Sequence, residues 1–409
     1  MRKSSADNIK IYLLVTVLGI SLLFSAFGKT ANISDRMLVH AMGIDPSEDG
    51  GYKVSMQIFK SSGAGSDTPI DPSQPNVEVI SGEGKTITEA IKKASYKTGR
   101  EAFLGHLQLI CFNRDIDFSD PEDLFRFTLA DKNVYLGVDL CLSETTAEDI
   151  MNAKMTRGAT SAEALKKIID TNAENSTAIK CEMLDFLSCV NTPQHIAMPV
   201  LSVEEQSEGS EGGSSGQQAE QQGGQQQGQQ QEQQGSSEQQ EGQGSSEPQV
   251  SVSSTALIKE GKVLEDTLDS DEAQGVAWLT RRAERGDMIV KHSGELINVM
   301  LTRDKIKTDL KIKDGRISYK ADITVVAHAN KNLRSSAESE ELSGEIADEL
   351  QRIFKAAEDK ALRKNGTDIV GIWQLLRHEY PRTYIRYQDS LDDIYRAIDF
   401  ETDVKVRVE

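Results

Sequence analysis

Six histidines, four cysteines and one Gly-Lys-Thr run are the residues of this 409-residue chain that most invite a search for chemistry. The histidines are scattered. None forms the His-x-x-x-His or His-Glu-x-x-His pair that sets two imidazoles on one helix face for a metal. There is no Cys-x-x-Cys, and no Gly-x-Ser-x-Gly turn to expose a nucleophilic serine. Gly82-Glu83-Gly84-Lys85-Thr86 ends like a phosphate-binding loop, but the earlier glycine that such a backbone cradle needs is missing at the required spacing. The sequence therefore predicts no catalytic residue, no cofactor and no metal site.

A few single residues carry weaker signals. His106 follows Gly105 and precedes an apolar run, where a histidine bonds the backbone at a strand start or, on the sharper reading, contacts a ligand. Asp45, after Gly43-Ile44, reads as a turn-capping carboxylate. Trp278 and Trp373 stand in apolar surroundings and read as core. Cys181 and Cys189 fall in one predicted helix, about 12 Å apart along its axis and too far for a disulfide. Cys111 and Cys141 lie in strand-like runs, as small buried hydrophobes or as a bridge if their strands are neighbours.

Composition narrows the partners. Lys plus Arg number 46 against 65 Asp plus Glu, a formal charge of -19, which excludes a nucleic-acid partner held by phosphate contacts. Nine of the glutamates lie between Glu204 and Gln249, where there is no lysine or arginine, so about half of the excess sits in one segment.

At the N-terminus Arg2, Lys3 and Lys10 lead into Ile11–Phe27, a run without charge. At 1.5 Å per residue it reaches roughly 25 Å, just short of the ~30 Å hydrocarbon core, so a cleaved signal and a short retained span both fit. Either one exports the rest of the chain, and the basic flank puts everything after Lys29 on the outer side.

The exported part opens as a sheet. Leu38, His40, Met42 and Ile44 alternate, as do Tyr52, Val54, Met56 and Ile58, around the turn-like stretch 46–51. A loop at 63–75 precedes a strand at 77–81. Thr86 and Glu89 then make a capping box for a helix with Ile87, Ala90, Ile91 and Ala94 on one face, stopped at Gly99. Apolar strands are predicted at 107–112 and 134–142, with helices at 123–130, 147–153, 161–170 and 182–190. Residues 204–249, almost wholly Gln, Glu, Gly and Ser, cannot form a core and read as a linker or expanded loop.

Beyond the linker, strands are predicted at 250–258 and 263–268. Alternating residues from Ile306 to Ile312 and from Ile317 to Val325 flank Asp314-Gly315 as a hairpin. A helix from about Ser343 carries Ile346, Leu350, Ile353, Ala357 and Ala361 at spacings of three and four, and Asn365-Gly366 closes it. Asp368 caps another helix, which Pro381 ends, and Phe400 to Val408 form a last half-buried strand. The fold class expected is α+β: several mixed α/β units with antiparallel or mixed sheets, packed helices and an N-terminal membrane anchor. The organisation is 1–10 basic, 11–27 anchor or signal, 30–203 mixed α/β, 204–249 linker and 250–409 a C-terminal α+β unit built on an antiparallel sheet.

In this order and spacing the chain resembles the Ger(x)C family, the C subunits of bacterial spore germinant receptors. The likeness is carried by Gly43-Ile44-Asp45 with Gly51-Tyr52-Lys53-Val54, by Gly82-Glu83-Gly84-Lys85-Thr86 with Glu89-Ala90-Ile91, and by Gly99-Arg100 with Leu104-Gly105-His106-Leu107. After the linker it continues in Ser254 to Lys259, in Gln274-Gly275-Val276-Ala277-Trp278-Leu279, and in Asp368-Ile369-Val370-Gly371. The resemblance implies three mixed α/β domains on the outer face of the spore inner membrane and no covalent chemistry. It also implies assembly with integral-membrane A and B subunits, with Gly43, Asp45, Gly82, Gly84, Gly105, His106, Trp278, Asp368 and Gly371 as structural or partner-contact positions.

Two departures stand out. Ser25-Ala26-Phe27-Gly28-Lys29 lacks the cysteine that receives a lipid in the family, so a retained helix would replace the lipid. The Gln-rich insert exceeds the family's connection there and is expected to be dispensable. The competing reading is an anchored binding protein holding a small nutrient or ion near His106 or Asp45.

Overall fold

The computed structural model describes residues 5–26, 36–59, 77–130, 133–153, 161–189, 192–193, 195–204, 249–314, 316–331 and 335–409. Helix α1 (Ser5–Ala26) comes first, and its described side chains are those of Lys10 and residues 12–21, all exposed. Among the described residues no helix is long and apolar enough to cross a membrane.

The first unit holds β1 (Arg36–Pro46), β2 (Tyr52–Phe59), β3 (Val77–Gly84), α2 (Ile87–Thr98), β4 (Glu101–Phe103), β5 (Leu109–Asn113) and α3 (Pro121–Ala130). It continues with β6 (Asp139–Ser143), α4 (Ala147–Asn152), α5 (Ser161–Glu174), β7 (Cys181–Glu182), α6 (Met183–Cys189), β8 (Ile196–Glu204), β9 (Gln249–Lys259) and β10 (Lys262–Val263). Its strands form one sheet in the order β10-β9-β8-β6-β5-β1-β2-β3, with β4 beside β1 and β7 beside β6. The central strands β1, β5, β6 and β8 run parallel, and antiparallel pairs flank them. Both faces are covered, which is why every residue of β5 and β6 is buried and neither strand alternates.

On one face α2, α3 and α6 set Ile87, Leu124, Phe125 and Phe186 against Ile44, Phe112 and Leu140. The rings of Phe112, Phe118, Phe125 and Phe186 meet at centroid distances of 4.9–6.0 Å, edge-on or tilted as their quadrupoles favour. On the other face α4 and α5 bury Ile150, Met151, Leu165 and Ile169 over Ala41, Leu109, Cys111 and Cys141.

The second unit holds α7 (Ser270–Leu279), β11 (Arg285–His292), β12 (Glu295–Lys313), β13 (Arg316–Ala329), α8 (Ser336–Ala357), a π-helical turn at Glu358–Lys364, α9 (Ile372–Glu379), α10 (Pro381–Tyr387), α11 (Leu391–Ala397) and β14 (Asp399–Val408). Its sheet order is β11-β12-β13-β14. Burial alternates strictly along β11, because helices cover only one face. Helix α8 lays Leu342, Ile346, Leu350, Ile353 and Phe354 into that core. Gly275 lets α7 cross α8 closely: a Cβ there would lie 2.6 Å from Ala357 Cβ and 2.7 Å from the Ile353 carbonyl.

Several expectations change. The strand expected at 134–142 is confined to Asp139–Ser143, because Tyr135 to Val138 turn before it. Cys181 and Cys189 do not share a helix; Cys181 pairs with Leu140 in β7, and only Cys189 lies in α6. All four cysteines are free and buried, with Cys111 and Cys141 register partners on adjacent parallel strands. The C-terminal sheet is mixed rather than antiparallel, since β14 runs parallel to β13 after returning through helices. Residues 250–263, expected in the C-terminal unit, instead complete the first sheet, so the Gln-rich segment joins two neighbouring antiparallel strands.

Candidate functional site

The singled-out residues fall into separate groups. Gly43 lies beneath α4, where a Cβ would meet the Ala147 carbonyl and Met151 Cγ, each at 2.9 Å. Two residues on, Asp45 is 5% exposed and spends its carboxylate on capping. Oδ1 accepts from Asn113 Nδ2 at 3.0 Å and from the Ala147 N–H at 2.7 Å, and Oδ2 accepts from the Glu148 N–H at 3.0 Å. An anion on the first turn of α4 satisfies free N–H groups and opposes the helix dipole. Both carboxylate oxygens are thus engaged in capping.

Gly82 and Gly84 form a floor under α2. A Cβ at Gly82 would stand 2.3 Å from the Ala90 carbonyl, and one at Gly84 2.6 Å from the Ala90 N–H nitrogen. Thr86 caps α2 by accepting from the Glu89 N–H at 3.2 Å, while Glu89 reaches back to the Lys85 N–H at 2.9 Å and pairs with Lys93. The Gly-Glu-Gly-Lys-Thr run is therefore occupied by helix packing and capping, and both lysine and glutamate face outward.

His106 ends a 3-10 turn, exposed, beside Gly105. Its ring stacks on His40 at 6.0 Å and meets Phe103 edge-on at 5.8 Å, and the Arg36 guanidinium lies 4.8 Å above Phe103. Burial, and next the neighbouring His106, hold the His40 pKa below its ordinary value. Trp278 is fully buried in the second core against Gly286, and its indole N–H has no partner among the described residues.

The densest polar constellation joins the two units. Asp368 is fully buried, with Oδ1 accepting from the N–H groups of Gly371 at 2.8 Å and Ile372 at 2.9 Å, and Oδ2 from Trp373 at 2.7 Å. Gly371 turns the chain into α9 at φ +80°, a left-handed conformation that costs glycine little. Burial pushes the Asp368 carboxyl up to about 6 against these three hydrogen bonds and the Tyr395 hydroxyl. Its backbone N–H donates to His195 Nδ1 at 2.8 Å. A bond accepted at Nδ1 puts the proton of the neutral ring on Nε2.

Around this pair Lys259 of β9 bonds the Asn365 and Gly366 carbonyls and the Asp392 carboxylate. His195, Lys259, Tyr395 and Asp392 were not legible as a group, because they come from three places far apart in the chain: the residue before β8, the end of β9, and α11, which carries both Asp392 and Tyr395. Beside them a cavity of about 590 Å3 is lined by Phe118, Phe186, His195, Glu260, Asp392 and Tyr395. A groove of about 820 Å3 lies elsewhere, between Arg36, Tyr96, Arg100, Phe103 and Asn133. Neither brings a nucleophile, a base and an orienting group together, and no group of three metal-ligating side chains occurs among the described residues.

Two family models match almost end to end: the spore germination protein N-terminal domain over residues 29–203, and the spore germination B3/GerAC-like C-terminal domain over residues 253–409. The chain belongs to the Ger(x)C family. Among curated relatives of this Ger(x)C protein is spore germination protein KC of Bacillus subtilis (strain 168), 20% identical over 392 residues, covering 89% of this chain and 86% of the relative. Spore germination protein GerQC of Bacillus cereus is 23% identical over 179 residues, 44% of this chain and 47% of its own. The crystal structure of the GerBC protein matches with a TM-score of 0.51 at 14% identity, over 90% of this chain and 96% of that one, and so shares its mixed α+β fold.

Proposed function

We propose that this Ger(x)C protein is the non-enzymatic C subunit of a spore nutrient-germinant receptor, working with integral-membrane A and B subunits. The observation that carries the reading is the pair of family models, which together take in both folded units. The geometry supports it: the family-motif residues Gly43, Asp45, Gly82, Gly84, Gly105, Trp278, Asp368 and Gly371 are engaged in packing, turns and caps. A chain so built offers surfaces rather than a reaction centre. In this reading residues 11–27 are a membrane span, and the two units stand on the outer face of the spore inner membrane.

Deletion of the gene in a strain without paralogous receptors tests the reading. Nutrient germination is expected to be lost while germination by non-nutrient triggers persists; an intact nutrient response would overturn it. Co-purification from detergent-solubilised spore inner membranes is expected to recover multi-spanning partners.

The 590 Å3 cavity beside His195 favours one second reading, a bound small nutrient or ion. It lies away from both His106 and Asp45. Titration calorimetry with amino acids, sugars and divalent ions is the test, and heat from none of them removes it.

A further inference from the structure

We infer that one end of the first sheet is a lipid-facing surface that rests on anionic phospholipid head groups. The inference builds on the proposed membrane span.

The parallel strands β1, β5 and β6 all begin at the same end of the sheet. Helix α2 delivers the chain there too, since β4, which comes directly after it, pairs in parallel with Arg36–Leu38. Antiparallel β2 finishes there, with Ile58 opposite Val39 and Phe59 beyond it. Leu184 is tied to the same end by its N–H, which donates to the Leu136 carbonyl at 2.9 Å.

Exposed large hydrophobic residues of the first unit gather at this end and nowhere else among its described residues. They are Phe59 at 38% exposure, Tyr96 at 78%, Tyr135 at 73%, Leu136 at 37% and Leu184 at 53%. Tyr96 stands on the last turns of α2, and Tyr135 and Leu136 in the turn into β6. Scattered exposed apolar residues need no explanation, but a set confined to one end marks an interaction surface.

Basic residues gather in one groove at the same end, while Glu78 and Glu182 stand elsewhere on it. Arg36, Lys92 and Arg100 line the 820 Å3 groove with Tyr96 and Phe103, and Glu101 is the one acid on its wall. In a chain of formal charge -19 this local excess of cations is selective. Tyrosines with lysine and arginine around them match the head-group layer, where ring bodies meet acyl boundary and cations meet phosphate.

Connectivity chooses lipid as the occupant. Helix α1 ends at residue 26 and β1 begins at residue 36, so nine residues, 27–35, separate them. Fully extended they reach roughly 35 Å, whatever path they take. The aromatic and basic end is thus the end tethered to the span, and the opposite end of the sheet stands a strand length farther out.

The test uses the full chain in vesicles of equal parts phosphatidylcholine and phosphatidylglycerol, with a nitroxide on a fraction of the choline head groups. Tyr96→Trp places an indole on the proposed surface and Leu296→Trp places one on the second unit, while native Trp278 and Trp373 are buried. Flotation reports the span independently. The expected result is co-flotation of both variants, with the added indole of Tyr96→Trp quenched at least twofold more than that of Leu296→Trp. Reversing charge at Arg36, Lys92 and Arg100 to glutamate is expected to abolish that excess while flotation persists. Co-flotation with equal quenching overturns the surface alone. Excess quenching that survives the charge reversal overturns its anionic-lipid chemistry. Failure to float overturns the span reading, and this inference with it. Protection of the Tyr96→Trp indole only when integral-membrane subunits are added would assign the surface to a protein instead.

Discussion

His195 and Asp368 hold each other by two hydrogen bonds: the Asp368 N–H donates to His195 Nδ1 at 2.8 Å, and the His195 N–H donates to the Asp368 carbonyl at 3.2 Å. One residue leads into β8 of the first sheet and the other caps α9 of the second unit. The pair therefore ties the second unit to the first, with Asp368 fully buried and the His195 ring half-buried at the wall of the 590 Å3 cavity.

Its pH behaviour arises from two opposed shifts. Burial, and then the Lys259 ammonium, lower the His195 pKa from 6.5 to about 4. The unfolded chain binds that proton first, so the stabilisation is complete above pH 6.5 and is lost as pH falls from 6.5 towards 4. Asp368 runs the other way: burial raises it from 3.8 to about 6, so its contribution is complete below pH 3.8 and is lost as pH rises through 6. In His195→Asn an amide oxygen takes the place of Nδ1 and does not titrate. Relative to the parent, this variant is expected to gain about 2 kcal/mol on going from pH 7.5 to 5. His195→Leu leaves the Asp368 N–H unpaired and is expected to lose about 1–3 kcal/mol at pH 7.5. Urea midpoints at the two pH values check both.

Asp139 supplies a second buried charge with a clear consequence. It is fully buried at the start of β6, with Lys166 at 2.5 Å and Lys180 at 3.1 Å. Asp139→Asn removes the buried charge shared by the two lysines, which are about a third exposed and keep Asp170, and is expected to destabilise the fold by roughly 1–3 kcal/mol. Asp170 contacts the same lysines but is about a third exposed, so Asp170→Asn is expected to cost under about 1 kcal/mol. Thermal unfolding followed by circular dichroism separates the two.

Much of the first unit was legible because local rules and tertiary packing agree there. The turn between β1 and β2, Thr86 as cap and Gly99 as left-handed stop all come from residue chemistry within a few positions. Asp368 was readable as a cap for the same reason. Strand β8 was missed because Ile196–Glu204 contains Pro199 and gains its identity from pairing with β9 across 44 intervening residues (249 − 204 − 1). Helix α7 was missed because a helix buried on nearly every side, from Ala273 to Leu279, shows no amphipathic period. The His195 constellation was invisible in principle, since only tertiary structure brings β8, β9, α11 and the Asp368 turn together.

The family glycines are not equivalent, and the difference is measurable. At Gly82 a new Cβ would meet backbone, 2.3 Å from the Ala90 carbonyl and 2.6 Å from the Ala94 nitrogen, so α2 itself would have to move. Gly82→Ala is expected to lose about 2–3 kcal/mol or more. At Gly105 the nearest atoms are those of the Phe103 ring, at 2.6 Å, which is partly exposed and free to turn aside. Gly105→Ala is expected to change stability by less than about 1 kcal/mol. Equal losses at both positions would mean that the approach of α2 to β3 does not explain the Gly82 glycine.

Residues 205–248 close a loop between β8 and β9, whose pairing runs from Ile196↔Ile258 to Glu204↔Gln249. If that segment acts on the fold only through chain length, its contribution is the entropy of closing 44 residues (249 − 204 − 1). That entropy grows with the logarithm of length, so a six-residue Gly/Ser connection is expected to stabilise the chain by about 1–2 kcal/mol. Nutrient germination by spores carrying the shortened chain is expected to match the parent. A stability loss on shortening would show that the Gln-rich segment packs on the fold. Retained stability with lost germination would instead make it a contact for another receptor component, since the sheet that it joins would be intact.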